Sequence, residues 1–105
     1  MAGSIATAGV VCAVGIAAAA LVGIGAAAAE SQRAAGIADA AALAAADTLA
    51  GFAAGDPCSR AGEIAAAQAG SVTACDIDGL IATVTIETRF GAIPVTAIAR
   101  AGPPL

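Results

Sequence analysis

The sequence predicts an α+β protein in which a long N-terminal helix projects from a small C-terminal domain. That domain is expected to contain one short helix and a three-stranded antiparallel β-meander, closed by a disulfide. Three observations predict this layout: Met1–Ala29 carries no charged residue, the first half of the chain has no proline, and β-branched runs follow Gly70. We therefore expect a helical region over residues 1–51 and a head domain over residues 52–105.

The charge-free run is long enough to cross a bilayer. As a helix its 29 residues would measure about 43 Å, against about 30 Å for a hydrocarbon core. Strong helix formers continue to Ala50, and Gly51 suits the left-handed position after a helix end. The sequence predicts one helix from Ser4 to Ala50, about 70 Å long. An ordinary single-span anchor and a cleaved secretory signal are alternative interpretations of the run.

Small residues lie on every side of the helix that the charge-free run would form, and they let the backbones of neighbouring helices approach closely. A helix that is small and apolar on every side is typically buried on every side. Only eight branched aliphatic residues occur in the run, so lipid alone would hold it loosely. We expect helix packing and assembly to use the following residues: Gly9, Val14, Gly15, Ala18, Leu21 and Val22.

The head domain is expected to begin with a helix and to continue with strands. Asp56 and Pro57 are typical of an N-cap and a first helical residue, and predict a helix over residues 57–69 that Gly70 ends. The Asp-Gly pair at residues 78–79 predicts a tight hairpin, and Pro94 predicts an edge strand. The three expected strands span residues 72–77, 80–89 and 93–100.

Alternation along the middle strand predicts one buried face and one solvated face. The residues expected to be buried are Leu80, Ala82, Val84 and Ile86. The residues expected to face solvent are Ile81, Thr83, Thr85 and Glu87.

Two pairs of side chains are candidates for specific links. Glu30 and Arg33 stand three residues apart, which allows an ion pair within one helix, a pair between copies, or two solvated charges above a membrane. Twelve helical residues rise about 18 Å and five strand residues return about 16 Å, so Cys75 is expected beside Cys58. A disulfide there would place the head outside the cytoplasm; two reduced, buried thiols are the alternative.

The composition argues against catalysis and nucleic-acid binding. The chain has no histidine, lysine, tyrosine or tryptophan, which removes the commonest general base and most stacking surfaces. Its net charge is −4 and its four arginines are scattered singly, unlike the basic stripe that binds phosphate backbones. The acidic residues match no calcium-loop spacing. We expect no enzyme activity, no cofactor, no metal and no direct nucleic-acid site.

Several segments resemble the actinobacterial TadE-like pilins of the tight-adherence (Tad, or Flp) pilus, a type IV-like system. The resemblance covers nearly the whole chain, and its most specific motifs are Asp-Pro-Cys and Cys-Asp-x-Asp-Gly. The matching segments span residues 3–7, 33–47, 55–58, 75–80 and 100–104.

The resemblance implies a prepilin of the cytoplasmic membrane with its C-terminal domain outside. A prepilin peptidase would remove a short leader, and an ATPase-driven assembly machine would polymerise the chain, with other pilins, into a helical surface filament. Such filaments serve adhesion, surface attachment or DNA uptake. The glutamate that many pilins carry at the fifth mature position is absent: Ile5 is fifth from Met1, and Ala8 is fifth from Ser4. The alternative is a single-span envelope protein whose outer domain binds a partner.

Overall fold

The computed structural model describes residues 2–104 and contains two helices and three strands. These elements are α1 (Ala2–Leu49), α2 (Pro57–Ala67), β1 (Ser71–Asp78), β2 (Ile81–Phe90) and β3 (Ile93–Ala101). The molecule measures 75 × 28 × 17 Å, because α1 alone is about 72 Å long at 1.5 Å per residue. The predicted α+β layout of a long apolar helix, a short helix, a three-stranded antiparallel sheet and one disulfide is confirmed.

The end of α1 is set by local hydrogen bonds, as its sequence predicts. Gly51 has a φ of +87°, and its N–H donates to the Thr48 carbonyl at 3.2 Å. The N–H of Phe52 donates to the Asp47 carbonyl at 2.9 Å. These two bonds form a Schellman motif, which satisfies carbonyls that the ending helix leaves free.

The last third of α1 packs against α2 and the sheet, so the core of the head is built partly from the long helix. Nine of the 12 buried hydrophobic residues within residues 2–104 are alanine, and the largest are Ile37, Ile86 and Val84. Alanines at these contacts let the elements approach closely. The buried residues of α1 recur at helical spacing and are Ala34, Ile37, Ala38, Ala41, Ala42 and Ala45.

Helix α2 begins as predicted but ends earlier. The Asp56 carboxylate accepts a hydrogen bond from the Ser59 N–H at 2.8 Å, and Pro57 occupies the first turn. The prediction that Gly70 ends a helix over residues 57–69 is wrong, since α2 ends at Ala67 and Ala69 is the left-handed residue, with a φ of +60°. Gly70 instead lies where an added Cβ would stand 3.4 Å from Cγ2 of Ile37.

The sheet has the order β1-β2-β3 with antiparallel pairing throughout. The predicted Asp-Gly hairpin loop is wrong by one residue, because Asp78 pairs with Ile81 and the loop is Gly79-Leu80. Gly79 has a φ of +61° and Leu80 has a negative φ, the signs of a type II′ turn with glycine in its first central position.

The shifted loop changes one residue of the predicted buried face. Leu80 lies in the turn and is 51% exposed, contrary to the prediction. The buried face of β2 runs instead through Ala82, Val84, Ile86 and Thr88. Strand β3 is an edge strand containing Pro94, as predicted.

Candidate assembly surface

The N-terminal part of α1 is an apolar rod that touches no other part of the described chain. Residues 2–29 are all exposed and none is charged. An 18-residue window within α1 reaches a mean hydropathy of 2.4 with none of its residues buried, so α1 is long and apolar enough to cross a membrane. A continuous apolar surface of this size marks contact with lipid or protein.

The six residues predicted to pack helices all lie on this rod. Val14, Leu21 and Val22 are 63%, 70% and 72% exposed. Together with Ala18 they follow the i, i+4, i+7, i+8 spacing of one helix face, and Gly15 lies beside them. Gly9 lies on the opposite side, so the six residues occupy two sides of the helix rather than a single stripe.

The glycines of the rod have no structural cause within the chain. A Cβ added at Gly9, Gly15, Gly23 or Gly25 would meet no atom within 4 Å. Each glycine in a helix interior is about 1 kcal/mol less favourable than alanine. Neither a turn nor a contact among the described residues requires these glycines, and small residues of this kind let the backbones of neighbouring helices approach closely.

Glu30 and Arg33 form an ion pair within α1 where the rod meets the head. The Arg33 guanidinium donates to both carboxylate oxygens of Glu30 at 3.1 Å. It also donates at 2.8 Å to the carbonyl of Gln68, the residue that caps the C-terminus of α2. Arg33 therefore ties the two helices together at the base of the head.

The same contacts determine the ionisation of the pair. The Arg33 guanidinium, by hydrogen bonding, holds the pKa of Glu30 below its ordinary value. Hydrogen bonding to Glu30 raises the pKa of Arg33. The Thr88 hydroxyl is buried, and it forms no hydrogen bond with any described residue. Folding therefore favours the charged forms of both Glu30 and Arg33. The buried hydroxyl of Thr88, in contrast, is not compensated by a hydrogen bond.

The structure joins Cys58 in the first turn of α2 to Cys75 in β1 by a disulfide, with the Cα atoms 5.9 Å apart. This is the pairing that the helix and strand lengths predict. The third cysteine, Cys12, is free and exposed on the rod.

A second exposed apolar surface lies at the far end of the head, which we call the tip patch. It borders a cleft of about 260 Å³, and its most exposed member is Phe52 at 86%. The patch was not identified from the sequence, because its members come from α1, the β1–β2 loop and the C-terminal tail. Its members are Leu43, Phe52, Leu80, Pro103 and Pro104.

The arrangement consists of an exposed apolar rod, an ion-paired junction and a disulfide-bonded head with an apolar tip. Comparisons with protein-family models, with curated proteins and with solved structures find no match for this chain.

Proposed function

We propose that this protein is a structural pilin of a Tad/Flp-type surface pilus, which polymerises through α1 into a helical filament. The observation that carries the proposal is the continuity of α1. One unbroken helix begins as a charge-free, fully exposed rod over residues 2–29 and ends as the core of the head. A filament needs this combination, since the rod can occupy a membrane before assembly and the filament interior afterwards, while the head stays outside.

The small surface of the rod supports assembly over permanent anchoring. Its eight branched aliphatic residues contribute about −0.3 to −0.6 kcal/mol each to insertion, so extraction from lipid is not prohibitive. Glycine and alanine allow close contacts between helices, and dispersion then replaces the contacts with lipid. Packing residues on both sides of the helix fit a position surrounded by several copies.

Electron microscopy of filaments sheared from cells tests the proposal directly. With an antibody against the head, we expect labelling along the whole shaft in cells that carry the gene. Cells with the gene deleted should lack these filaments. Filaments that persist in the deletion strain and never bind the antibody would overturn the proposal.

Substitutions in the rod test whether its small surface is what assembly needs. Gly15→Leu and Ala18→Leu should leave the chain membrane-inserted, because leucine favours insertion, but should block filament formation by separating the helices. Gly15→Ala is the matched control, since it adds a single methyl group and should assemble. Normal filaments from both leucine variants would contradict the packing argument.

The second candidate is a single-span envelope protein whose outer domain binds a partner, and the tip patch favours it. Phe52 is 86% exposed and Leu80 is 51% exposed, at the end of the molecule farthest from the rod. Aromatic residues in such patches often anchor protein interfaces. Phe52→Ser separates the candidates, because it should leave filaments intact if α1 drives assembly and should abolish partner capture if the head is a binding module.

A further inference from the structure

The loop between β2 and β3 forms an apolar projection at the base of the head, which we call the hairpin end (residues 89–93). Phe90 and Ile93 pair across the strands, and their register places both on the face of the sheet that α1 covers. Ile93 is nevertheless 63% exposed and Phe90 is half-buried. The inner face of the sheet therefore extends past the packed core into open space.

The direction of β2 places this projection beside the rod. At one end of β2, Leu80 belongs to the tip patch together with Leu43 and Phe52. At the other end, an added Cβ on Gly70 would stand 3.6 Å from Thr88 and 3.4 Å from Ile37, so Thr88 lies level with the start of the packed part of α1. Two further residues carry the strand about 7 Å beyond Thr88, a distance equal to about five residues of helix.

This height coincides with a membrane surface. About 20 residues of helix fill a hydrocarbon core of about 30 Å, and the charge-free rod spans residues 2–29. The eight other residues rise about 12 Å, which is close to the roughly 10 to 15 Å that the two headgroup regions add together. The rod therefore matches the thickness of a bilayer with its headgroups, and the hairpin end lies level with the upper end of the rod.

We propose that the hairpin end docks on the lipid–water interface of the membrane that α1 spans. Phe90 and Ile93 would enter the boundary between headgroups and acyl chains, as interfacial apolar side chains do. Arg89 is exposed and forms no ion pair with any residue in 2–104, so its guanidinium is available to lipid phosphates. This inference rests on the membrane-inserted stage of the proposed function, not on filament formation.

Docking would give the head a second point of contact with the membrane. Because the head is packed on α1, the two move together, and the helix alone leaves the chain free to tilt towards any side. A hairpin held at the interface fixes which side of the head faces lipid. The tip patch at the opposite end of the head would then point away from the membrane.

Tryptophan scanning of the full chain in phosphatidylcholine vesicles tests the proposal, because the natural chain contains no tryptophan. Ile93→Trp places the probe in the hairpin end, and Val14→Trp reports insertion of α1. Ile98→Trp is the matched control, since Ile98 lies on the same strand, is 68% exposed and faces away from α1. Each variant is measured with and without brominated phosphatidylcholine, whose bromine atoms quench nearby tryptophan.

We expect Ile93→Trp to lose about half of its emission in vesicles brominated high on the acyl chains, as fits a depth of about 5 to 10 Å. Bromine near the bilayer centre should quench it less, while Val14→Trp should show the reverse order and Ile98→Trp should show no quenching. Quenched Val14→Trp with unquenched Ile93→Trp would overturn the docking and leave insertion standing. The emission of Ile93→Trp could instead shift to the blue as the protein density in the vesicles rises, with no quenching by bromine. That result would place the hairpin end against a second copy of the chain and would also overturn the docking proposal.

Discussion

Removal of the disulfide should weaken the head about as much as truncation of one of its few large buried side chains, such as Ile37 or Ile86. The bond joins residues separated by 17 positions, and closing a loop of this size contributes about 3 kcal/mol in the chain-entropy model. The core that it supports is thin, since nine of its 12 buried hydrophobic residues are alanine. A loss of about 3 kcal/mol corresponds to about a hundredfold change in the opening equilibrium of the head.

Amide hydrogen exchange in the full chain, held in detergent micelles, measures this opening. In the variant with Cys58→Ala and Cys75→Ala, the amides of β2 should lose about a hundredfold in protection. Cys12→Ala is the control, because it removes an exposed free thiol and should leave the β2 amides unchanged. Equal protection of these amides in the natural chain, before and after reduction, and in the double variant would refute the reasoning.

Three further changes test individual contacts by the same exchange measurement. Ala69→Gly should raise the free energy of unfolding of the head by about 1 kcal/mol, because it relieves a left-handed φ of +60°; unchanged protection would contradict this. Thr88→Val should also stabilise the head by about 1 kcal/mol, because the hydroxyl is buried without a hydrogen bond. A loss of amide protection in this variant would contradict the prediction and indicate that the hydroxyl bonds to Glu30. Because folding lowers the pKa of Glu30 from 4.5, its stabilising contribution is fully present above pH 4.5 and is lost as the pH falls through the lowered pKa. Glu30→Gln should remove this acid-dependent part of the stability, and an identical pH profile in the variant would count against the pair.

The helix boundaries that could be predicted are those set by local hydrogen bonds. Asp56 and Pro57 start α2, and Gly51 ends α1, because each acts on backbone groups within a few residues. The end of α2 could not be read in this way. The left-handed conformation falls one residue earlier, on Ala69, while a Cβ added at Gly70 would stand 3.4 Å from Ile37, a residue from a distant part of the chain.

The point at which α1 passes from the rod into the head could also not be predicted from the sequence. Alanine occupies both the buried positions, such as Ala38 and Ala41, and many exposed positions of the rod, so composition does not mark where packing begins. The contact from Arg33 to the Gln68 carbonyl spans 35 residues and leaves no spacing signal. The apolar character of the rod, by contrast, follows from composition alone.

The rod and the head solve the same physical problem in different ways. The rod is built mainly from alanine and glycine, and the buried core of the head mainly from alanine. These residues bury little apolar area, so neither part gains much from the hydrophobic effect at about 25 cal/mol per Å². The head compensates with a covalent bond between Cys58 and Cys75 and with the junction at Arg33. The rod has no such link among the described residues and depends on whatever surrounds it. A head that is closed internally beside an exposed apolar helix fits the proposed exchange of lipid for copies of the chain, because that exchange would leave the head folded.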